Sequence, residues 1–213
     1  MRLIALIAAA LSLFISTPAF AQGWIEYNNQ EDFFSIAFPG QPTVRNATYT
    51  TESSINLPAR VHSHQNGPSR YSVTVVDYTV AEKLHAEAVK KCKSAGGEGD
   101  LCNDRTAGDL RGAIMYATAN LIKKSAKVTH LGLSNADRVE GHEVYLTNTD
   151  GSRTIAGIYM HENRLYILEG TVPESAPPPA LFYQSIGFLD KDGKRIRYHS
   201  IYTNGLPAPP RDR

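Results

Sequence analysis

The chain has 213 residues with 22 basic and 21 acidic side chains, and its mean hydropathy is −0.30. This balance excludes a general nucleic-acid-binding protein, which needs a strong basic excess, and it indicates no electrostatic partner for the chain as a whole. Beyond the N-terminal segment, the sequence contains no apolar run long enough to span a bilayer.

The N-terminal residues have the pattern of a secretory signal peptide. Arg2 supplies a positive charge, residues 3–15 are almost wholly apolar, and the Ala-Phe-Ala segment that ends at Ala21 is a small-x-small cleavage site before Gln22. The apolar core is too short for a membrane span. We therefore expect cleavage between Ala21 and Gln22 and a soluble protein that is periplasmic or secreted; an uncleaved N-terminal anchor is the alternative.

The cysteine count agrees with export. Cys92 and Cys102 are the only cysteines, and an even pair in an oxidising compartment is most simply a disulfide. By the chain-entropy relation, closing a loop of about 11 residues contributes roughly 2.8 kcal/mol at most. The spacing is far from the Cys-x-x-Cys of a redox site, so we predict a structural disulfide.

Period-two alternation of apolar residues predicts a series of half-buried strands. The runs cover residues 57–64, 70–78, 127–133, 142–149, 153–160, 164–172 and 194–202. Asp150-Gly151 and Glu162-Asn163 lie between such runs and indicate hairpin turns. We therefore expect an antiparallel meander over residues 142–172.

An earlier strand is predicted to end at two prolines, in the stretch FFSIAFPGQPTV of residues 33–44. Pro39 cannot donate a hydrogen bond to a sheet, and Gly40 permits a tight turn. Pro42 favours an extended backbone at Gln41. The segment therefore ends one strand and directs the chain into the next, which is a structural task rather than a chemical one.

Helical periodicity predicts three helices. Residues 79–82 fit a capping box, and an apolar residue then recurs at every fourth position over 80–92. A second apolar row follows the cysteine loop over 110–121. A short helix is predicted over 178–186, because its preceding prolines suit a helix start.

Four short motifs carry a family resemblance. They are the Phe-Pro-Gly-x-Pro turn at Phe38–Pro42, a glycine-centred turn at Gly141, an Asn-Arg-Leu-Tyr strand at Asn163–Tyr166, and the end of a helix leading into Phe182–Phe188. Together with the stretches around them, these motifs resemble bacterial exported proteins of the PsbP-like superfamily. The chain departs from that pattern at 183–188 and at Gly141, where relatives often have a Pro-Gly pair.

The resemblance implies an α+β fold, an α/β/α sandwich whose central antiparallel sheet is flanked by helices on both sides. Members of the superfamily serve mostly as accessory or binding proteins, including a lumenal subunit that supports the oxygen-evolving complex, and no catalytic motif exists to transfer. On this basis we expect a signal peptide over 1–21, one domain over 22–205, and a flexible proline-rich tail over 206–213.

His62 and His64 are candidate metal ligands. They lie two residues apart on a predicted strand, so they share one face, and His-x-His is a spacing found in zinc and copper sites. A metal site needs a third ligand, and no recognised spacing supplies one. Solvated strand histidines are the alternative interpretation.

The segment KRIRYHSIY, residues 194–202, is a candidate interaction surface. Alternation places Arg195, Arg197 and His199 on one face of the predicted strand and Ile196, Tyr198 and Tyr202 on the other. Such a basic stripe suits an acidic partner or an anionic lipid surface, and exposed tyrosines suit an interface. The alternative is an edge strand that its charges protect against aggregation.

No hydrolase, phosphate-loop or other catalytic motif is present, so we predict neither an enzyme nor a bound cofactor. The expected function is that of a non-catalytic exported envelope protein, an interaction or accessory module with an envelope protein partner. The alternative is a periplasmic protein that binds a small ligand or a metal in a pocket between the sheet and the helical region at 80–122.

Overall fold

The computed structural model describes residues 23–125 and 127–211. The predicted signal peptide and its cleavage point between Ala21 and Gln22 lie outside these residues. In the part of the chain that is described, no helix is long and apolar enough to cross a membrane.

Ten strands and three α-helices make up the described chain. The strands are β1 (Ile25–Asn29), β2 (Phe34–Phe38), β3 (Thr43–Thr50), β4 (Asn56–Asn66), β5 (Ser69–Asp77), β6 (Lys127–Ala136), β7 (Val139–Thr147), β8 (Arg153–His161), β9 (Arg164–Val172) and β10 (Gly187–Phe188). The helices are α1 (Ala81–Ser94), α2 (Thr106–Ile122) and α3 (Ala180–Gln184), with 3-10 turns at Tyr78–Val80 and Gly99–Cys102.

The strands form two sheets. Seven strands pair antiparallel in the order β3-β4-β5-β9-β8-β7-β6, and a smaller sheet has the order β1-β2-β10. The predicted meander is confirmed, because β7, β8 and β9 are consecutive neighbours. Its second turn consists of Glu162 and Asn163, whose φ angles of 46° and 56° match the two-residue hairpin turn that suits the twist of a sheet.

One face of the large sheet packs against α2. Val76 of β5 and Ile158 of β8 lie in the same buried cluster as Ala113, Ala117 and Leu121 of the helix. These helix positions are the ones that the apolar row at 110–121 predicts. The buried alanines allow the helix backbone to approach the sheet closely, which fixes α2 over β7, β8 and β9.

The opposite face of the large sheet packs mainly against the small sheet. Val73 and Leu168 share a buried cluster with Phe34 and Phe38 of β2 and with Phe182 of α3. A large antiparallel sheet with a few helices is therefore present, as an α+β fold requires. Helices were expected on both faces, whereas here β2 supplies most of the cover, because nearly every side chain of that strand is buried.

The start of α1 differs from the predicted capping box. The side chain of Asp77 accepts a hydrogen bond of 2.9 Å from the backbone N–H of Thr79, and Val80 at the helix start provides no side-chain cap. The buried residues of α1 are Ala81 and His85, one position later than the row over 80–92 predicts. Asp77 both ends β5 and caps the 3-10 turn that follows. The Thr-x-x-Glu pattern at 79–82 placed the cap two residues too late.

The glycine-centred turn predicted at Gly141 is displaced. The β6–β7 turn falls at Asp137 and Arg138, whose φ angles are 46° and 66°, and Gly141 lies inside β7. A Cβ atom on Gly141 would lie 2.2 Å from the backbone oxygen of Ile158 on β8. Close approach of two strands, rather than a turn, therefore requires glycine at this position.

The predicted disulfide is confirmed. Cys92 and Cys102 are bonded, with their Cα atoms 5.5 Å apart, within the range that suits a disulfide. The bond joins the last turn of α1 to the 3-10 turn at Gly99–Cys102. It therefore closes the glycine-rich connection between α1 and α2.

Candidate functional site

The segment 194–202 is not a strand, in contrast to the prediction. It makes only isolated bridges, one of which pairs Tyr202 with Val139. Tyr198 and Tyr202 are 2% and 5% exposed, so these tyrosines are not available to a partner. The predicted alternation of exposed and buried side chains is present, since Arg195, Arg197 and His199 are exposed. The segment that carries it is irregular and extended, and it packs along the core.

An aromatic cluster explains why this segment is buried. His161 Nε2 lies 2.7 Å from the hydroxyl of Tyr198, and the rings of Tyr198 and Tyr202 stack with centroids 4.9 Å apart. Burial lowers the pKa of His161 to about 4, so its imidazole is neutral near pH 7. The cluster of His161, Tyr198 and Tyr202 is buried, and its histidine is neutral and hydrogen-bonded. It is therefore part of the core rather than a binding surface.

Arg195, a member of the predicted basic stripe, already has partners. Its guanidinium pairs with the carboxylate of Asp137, and its Nη2 donates to the backbone oxygen of Ile186 at 2.9 Å. Two residues of the predicted tail also make contacts. The backbone N–H of His199 donates to Pro210, and Arg211 pairs with Glu162.

For the candidate ligands His62 and His64, no third ligand converges with them among the described residues. His62 is completely buried, contrary to the expectation of a solvated histidine. Its Nε2 lies 2.7 Å from Asp32 Oδ2 and its Nδ1 lies 3.1 Å from the hydroxyl of Tyr27, so both ring nitrogens are engaged. His64 Nδ1 instead lies 3.1 Å from the backbone oxygen of Gln41.

Asp32 is the centre of this buried network. Arg60 Nε lies 3.0 and 2.9 Å from its two carboxylate oxygens, and Tyr166 donates to its backbone oxygen at 2.9 Å. Arg60 also pairs with Glu31. The network fastens the β1–β2 turn to the large sheet, and all of its members have partners.

A second buried network lies on the helix side. Asp109 of α2 accepts hydrogen bonds from the Thr51 hydroxyl at 2.5 Å and from the Ser53 N–H at 3.1 Å. Its Oδ2 also lies 2.9 Å from His85 Nε2 of α1. Sequence reasoning missed this network because its members are far apart in the chain. It joins both long helices to the β3–β4 turn.

The outer strand β6 exposes a distinct surface. Leu131 and Leu133 are 52% and 79% exposed, and they alternate with polar or small residues along the strand. Among the described strands, β6 pairs only with β7, so its outer backbone groups face no ladder partner. We call Leu131, Leu133 and this outer backbone the β6 edge.

The position of α2 explains why the leucines stay exposed. Leu131 is the register partner of Val144, and Leu133 is the register partner of His142 on β7. The hydroxyl of Thr118 on α2 lies 2.9 Å from His142 Nδ1, so the helix stands over β7. Cover by α2 therefore ends one strand short of the β6 edge.

The charges around the β6 edge are mainly positive. Lys127 begins the strand, and Lys123 and Lys124 end α2 just before it; all three are exposed. The strand itself contains no acidic residue. His130 Nε2 lies 3.9 Å from Glu143 Oε2 on the neighbouring strand.

Comparison with known proteins finds similarity to a solved structure. No family model and no curated protein matches the chain. The solution structure of PsbP (CyanoP) from the cyanobacterium Synechocystis sp. PCC 6803 is similar, with 10% sequence identity and a TM-score of 0.44. The alignment covers 83% of this chain and 99% of that one.

Proposed function

We propose that this protein is a non-catalytic exported module of the cell envelope that binds an extended segment of a partner protein along the β6 edge. The single observation that supports this proposal is the exposure of Leu131 and Leu133 on an outer strand without a ladder partner in the described chain. The surface replaces the stripe at 194–202, whose tyrosines are buried.

An outer strand offers unpaired backbone N–H and C=O groups, which is a hazard unless a protein protects or uses it. The opposite edge, β3, is mostly polar and bears Arg45 and Asn46. β6 instead presents two large exposed leucines. Addition of a strand would satisfy the backbone groups and cover the apolar side chains together.

The surface specifies the chemistry of its partner. An added strand would place apolar side chains at alternate positions against Leu131 and Leu133, because side chains on neighbouring strands pair across the ladder. An acidic residue at one end would meet Lys127 and the lysines at the end of α2. We therefore expect an extended partner segment with alternating apolar residues and acidic residues near one end.

The buried histidines support a non-catalytic role. His62, His85 and His161 each have a hydrogen-bonding neighbour that fastens elements of the fold together. All three are at most 3% exposed, so none is placed to exchange a proton with a substrate at the surface. In the proposed module these residues stabilise the fold, while binding occurs at its outer strand.

A crosslinking experiment in the native envelope tests the proposal. A photoreactive residue in place of Leu133 should yield a crosslink to a partner protein, and Leu131→Lys in the same chain should reduce its yield at least ten-fold. The crosslinked partner peptide should be an extended, alternating segment with acidic residues. The free mature protein should retain its melting temperature in the Leu131→Lys form, because that side chain is already half exposed.

Val44 provides a matched control on the opposite edge of the sheet. Its side chain is 50% exposed on β3, so Val44→Lys changes an equally exposed apolar residue. This variant should leave the crosslink from position 133 unchanged. Equal loss with both lysine variants, or a crosslink only to a second copy of the chain, would overturn the proposal of a partner segment.

A further inference from the structure

A second surface lies at the other end of the large sheet. A cavity of about 620 Å³ opens on the sheet beside β3, β4, β5 and β9, which is within the roughly 300–1,000 Å³ typical of small-ligand sites. Its lining includes the polar or charged residues Thr43, Arg45, Ser63, Gln65, Arg70, Ser72, Glu169 and Thr171. We call it the polar cleft.

The register of the sheet brings four of these side chains into one row. Thr43 pairs with Ser63, Ser63 with Ser72, and Ser72 with Glu169. The next residue of the row, on β8, is the buried Ala156. The row thus changes from apolar to polar where cover by α2 ends. Because neighbouring strands are about 4.8 Å apart, Thr43 lies about 14 Å from Glu169, three strands away.

Key side chains of the polar cleft have no partner in the described chain. Neither Ser72, Glu169, Arg45 nor Arg70 makes a side-chain hydrogen bond or ion pair with another described residue. Glu169 is half-buried, and burial raises the pKa of its carboxyl group, while Lys124 and Arg70 act in the opposite direction. Partial burial of an acid without a hydrogen bond costs stability, so the presence of Glu169 at the floor of an open cleft indicates use by a ligand.

The two signs of charge occupy different depths. Glu169 lies on the floor, beside Ser72, whereas Arg45 and Arg70 are exposed at the rim. A purely anionic ligand would meet the carboxylate on the floor, and a purely cationic ligand would meet two guanidinium groups on entry. A ligand with both charges satisfies the whole lining.

We infer that the polar cleft binds a small zwitterion, an amino acid or the end of a short peptide, with its ammonium group on Glu169 and its carboxylate on Arg45 and Arg70. Ammonium–carboxylate and guanidinium–carboxylate contacts are strong charge-assisted hydrogen bonds. Ser72 and Ser63 supply hydroxyl groups along the floor between them. This site is on a different part of the sheet from the β6 edge and does not depend on that proposal.

Backbone NMR of the mature protein tests this inference. Each common L-amino acid, and the dipeptide L-alanyl-L-alanine, is titrated separately while the amide signals of Ser63, Ser72, Glu169 and Thr171 are followed. At least one of these probes should shift these signals in a saturable manner. Absence of saturable shifts with every probe would overturn the inference.

Derivatives of the best probe separate the two charges. Its N-acetyl form lacks the ammonium group and its C-terminal amide lacks the carboxylate, and each should bind at least ten-fold more weakly. If the N-acetyl form binds as tightly as the unmodified probe, the cleft recognises only the carboxylate of the ligand. That result would contradict the role of Glu169. Sulfate alone should produce no saturable shift at Glu169.

Variants of the lining complete the test. Glu169→Gln keeps the shape of the side chain and should weaken binding at least ten-fold without loss of folding, because the variant removes a buried charge. Arg45→Gln should weaken binding through the carboxylate end. Glu82→Gln, an exposed residue in the first turn of α1, is the control and should bind like the parent protein. Unchanged affinity of Glu169→Gln would overturn the inference.

Discussion

His62 Nε2 lies 2.7 Å from Asp32 Oδ2 in the interior, where His62 is completely buried and Asp32 is 4% exposed. The same carboxylate accepts hydrogen bonds from Arg60 Nε and from Arg60 Nη2. Asp32 therefore links the β1–β2 turn to two neighbouring face positions of β4. His62, one of the two candidate metal ligands in the sequence, thus helps to join the two sheets.

Removal of Asp32 should be costly. Asp32→Ala leaves Arg60 and His62 without their shared acceptor, and loss of one partner of a buried network typically costs about 3 kcal/mol. Because Arg60 is partly exposed, with 26% of its side chain accessible, we expect a loss nearer about 2 kcal/mol. Urea unfolding followed by circular dichroism measures the difference.

Glu31 is the matched control for that change, because it also pairs with Arg60 but its side chain is 72% exposed. Exposed ion pairs contribute less than about 1 kcal/mol. Glu31→Ala should therefore change the free energy of unfolding far less than Asp32→Ala. Equal effects of the two variants would contradict the structural role of the buried network.

The disulfide can be probed through Gly97. A Cβ atom on this residue would lie 2.6 Å from Cys102 Sγ and 2.7 Å from Cys92 Sγ. Gly97→Ala should destabilise the oxidised protein by about 1–3 kcal/mol, the usual cost of overpacking. The cost should fall sharply in a Cys92→Ala, Cys102→Ala background, since both sulfur atoms are then absent.

Gly108 in α2 is the control glycine, because a Cβ atom there would meet no heavy atom within 4 Å. Gly108→Ala should stabilise the protein by up to about 1 kcal/mol, since alanine favours a helix. Both glycine variants are compared by urea unfolding in the two backgrounds. A loss at Gly97 that is independent of the cysteines would show that backbone strain, rather than the disulfide, is responsible.

The strands over 57–64 and 153–172 are predictable because apolar residues recur at every second position, as the two faces of a sheet require. Three strands, β1, β3 and β10, are not predicted. The side chains of β1 and β3 are only half-buried or exposed, so these strands lack a strong apolar signal, and β10 has only two residues. The error at 194–202 has the opposite cause. Ile196 and Tyr198 are buried from an irregular segment, and alternation alone does not distinguish such a segment from a strand.

The candidate sites depend on long-range register, which one sequence does not supply. Ser72 and Glu169 become neighbours only because β5 pairs with β9. Leu133 is exposed only because α2 stands over β7 and not over β6. The sequence shows whether the side chain at each of these positions is polar or apolar. Which residue lies opposite it in the sheet determines whether it is buried, paired or available to a ligand.

Two glycines on adjoining strands should respond differently to alanine. A Cβ atom on Gly141 would lie 2.2 Å from the backbone oxygen of Ile158, whereas one on Gly132 would meet only the side chain of His130, at 3.0 Å. A flexible side chain on an outer strand can move, but a paired backbone cannot without breaking its ladder. Gly141→Ala should lower the melting temperature markedly, and Gly132→Ala should change it little; similar effects would contradict the close approach of β7 to β8.

Acid should destabilise the fold through His161. Its pKa falls from an ordinary 6.5 to about 4, because burial disfavours the charged ring, and Arg211 and Arg164 add to the effect while Glu162 opposes it. Between pH 6.5 and about 4, the unfolded chain binds a proton at this residue and the folded chain does not. Stability present above pH 6.5 is therefore lost as the pH falls, by up to about 3 kcal/mol from this residue.

His161→Gln removes the titrating group while keeping an amide that can hydrogen-bond to the Tyr198 hydroxyl. Its free energy of unfolding should be lower than that of the parent near neutral pH, yet it should decline less steeply on acidification. The difference between the two proteins isolates His161 from other groups, such as His142, whose pKa burial also lowers. Parallel pH profiles would show that folding does not lower the pKa of His161. The NMR titration of its ring would then give an inflection well above pH 4. That result would place the aromatic cluster in contact with water rather than in the core.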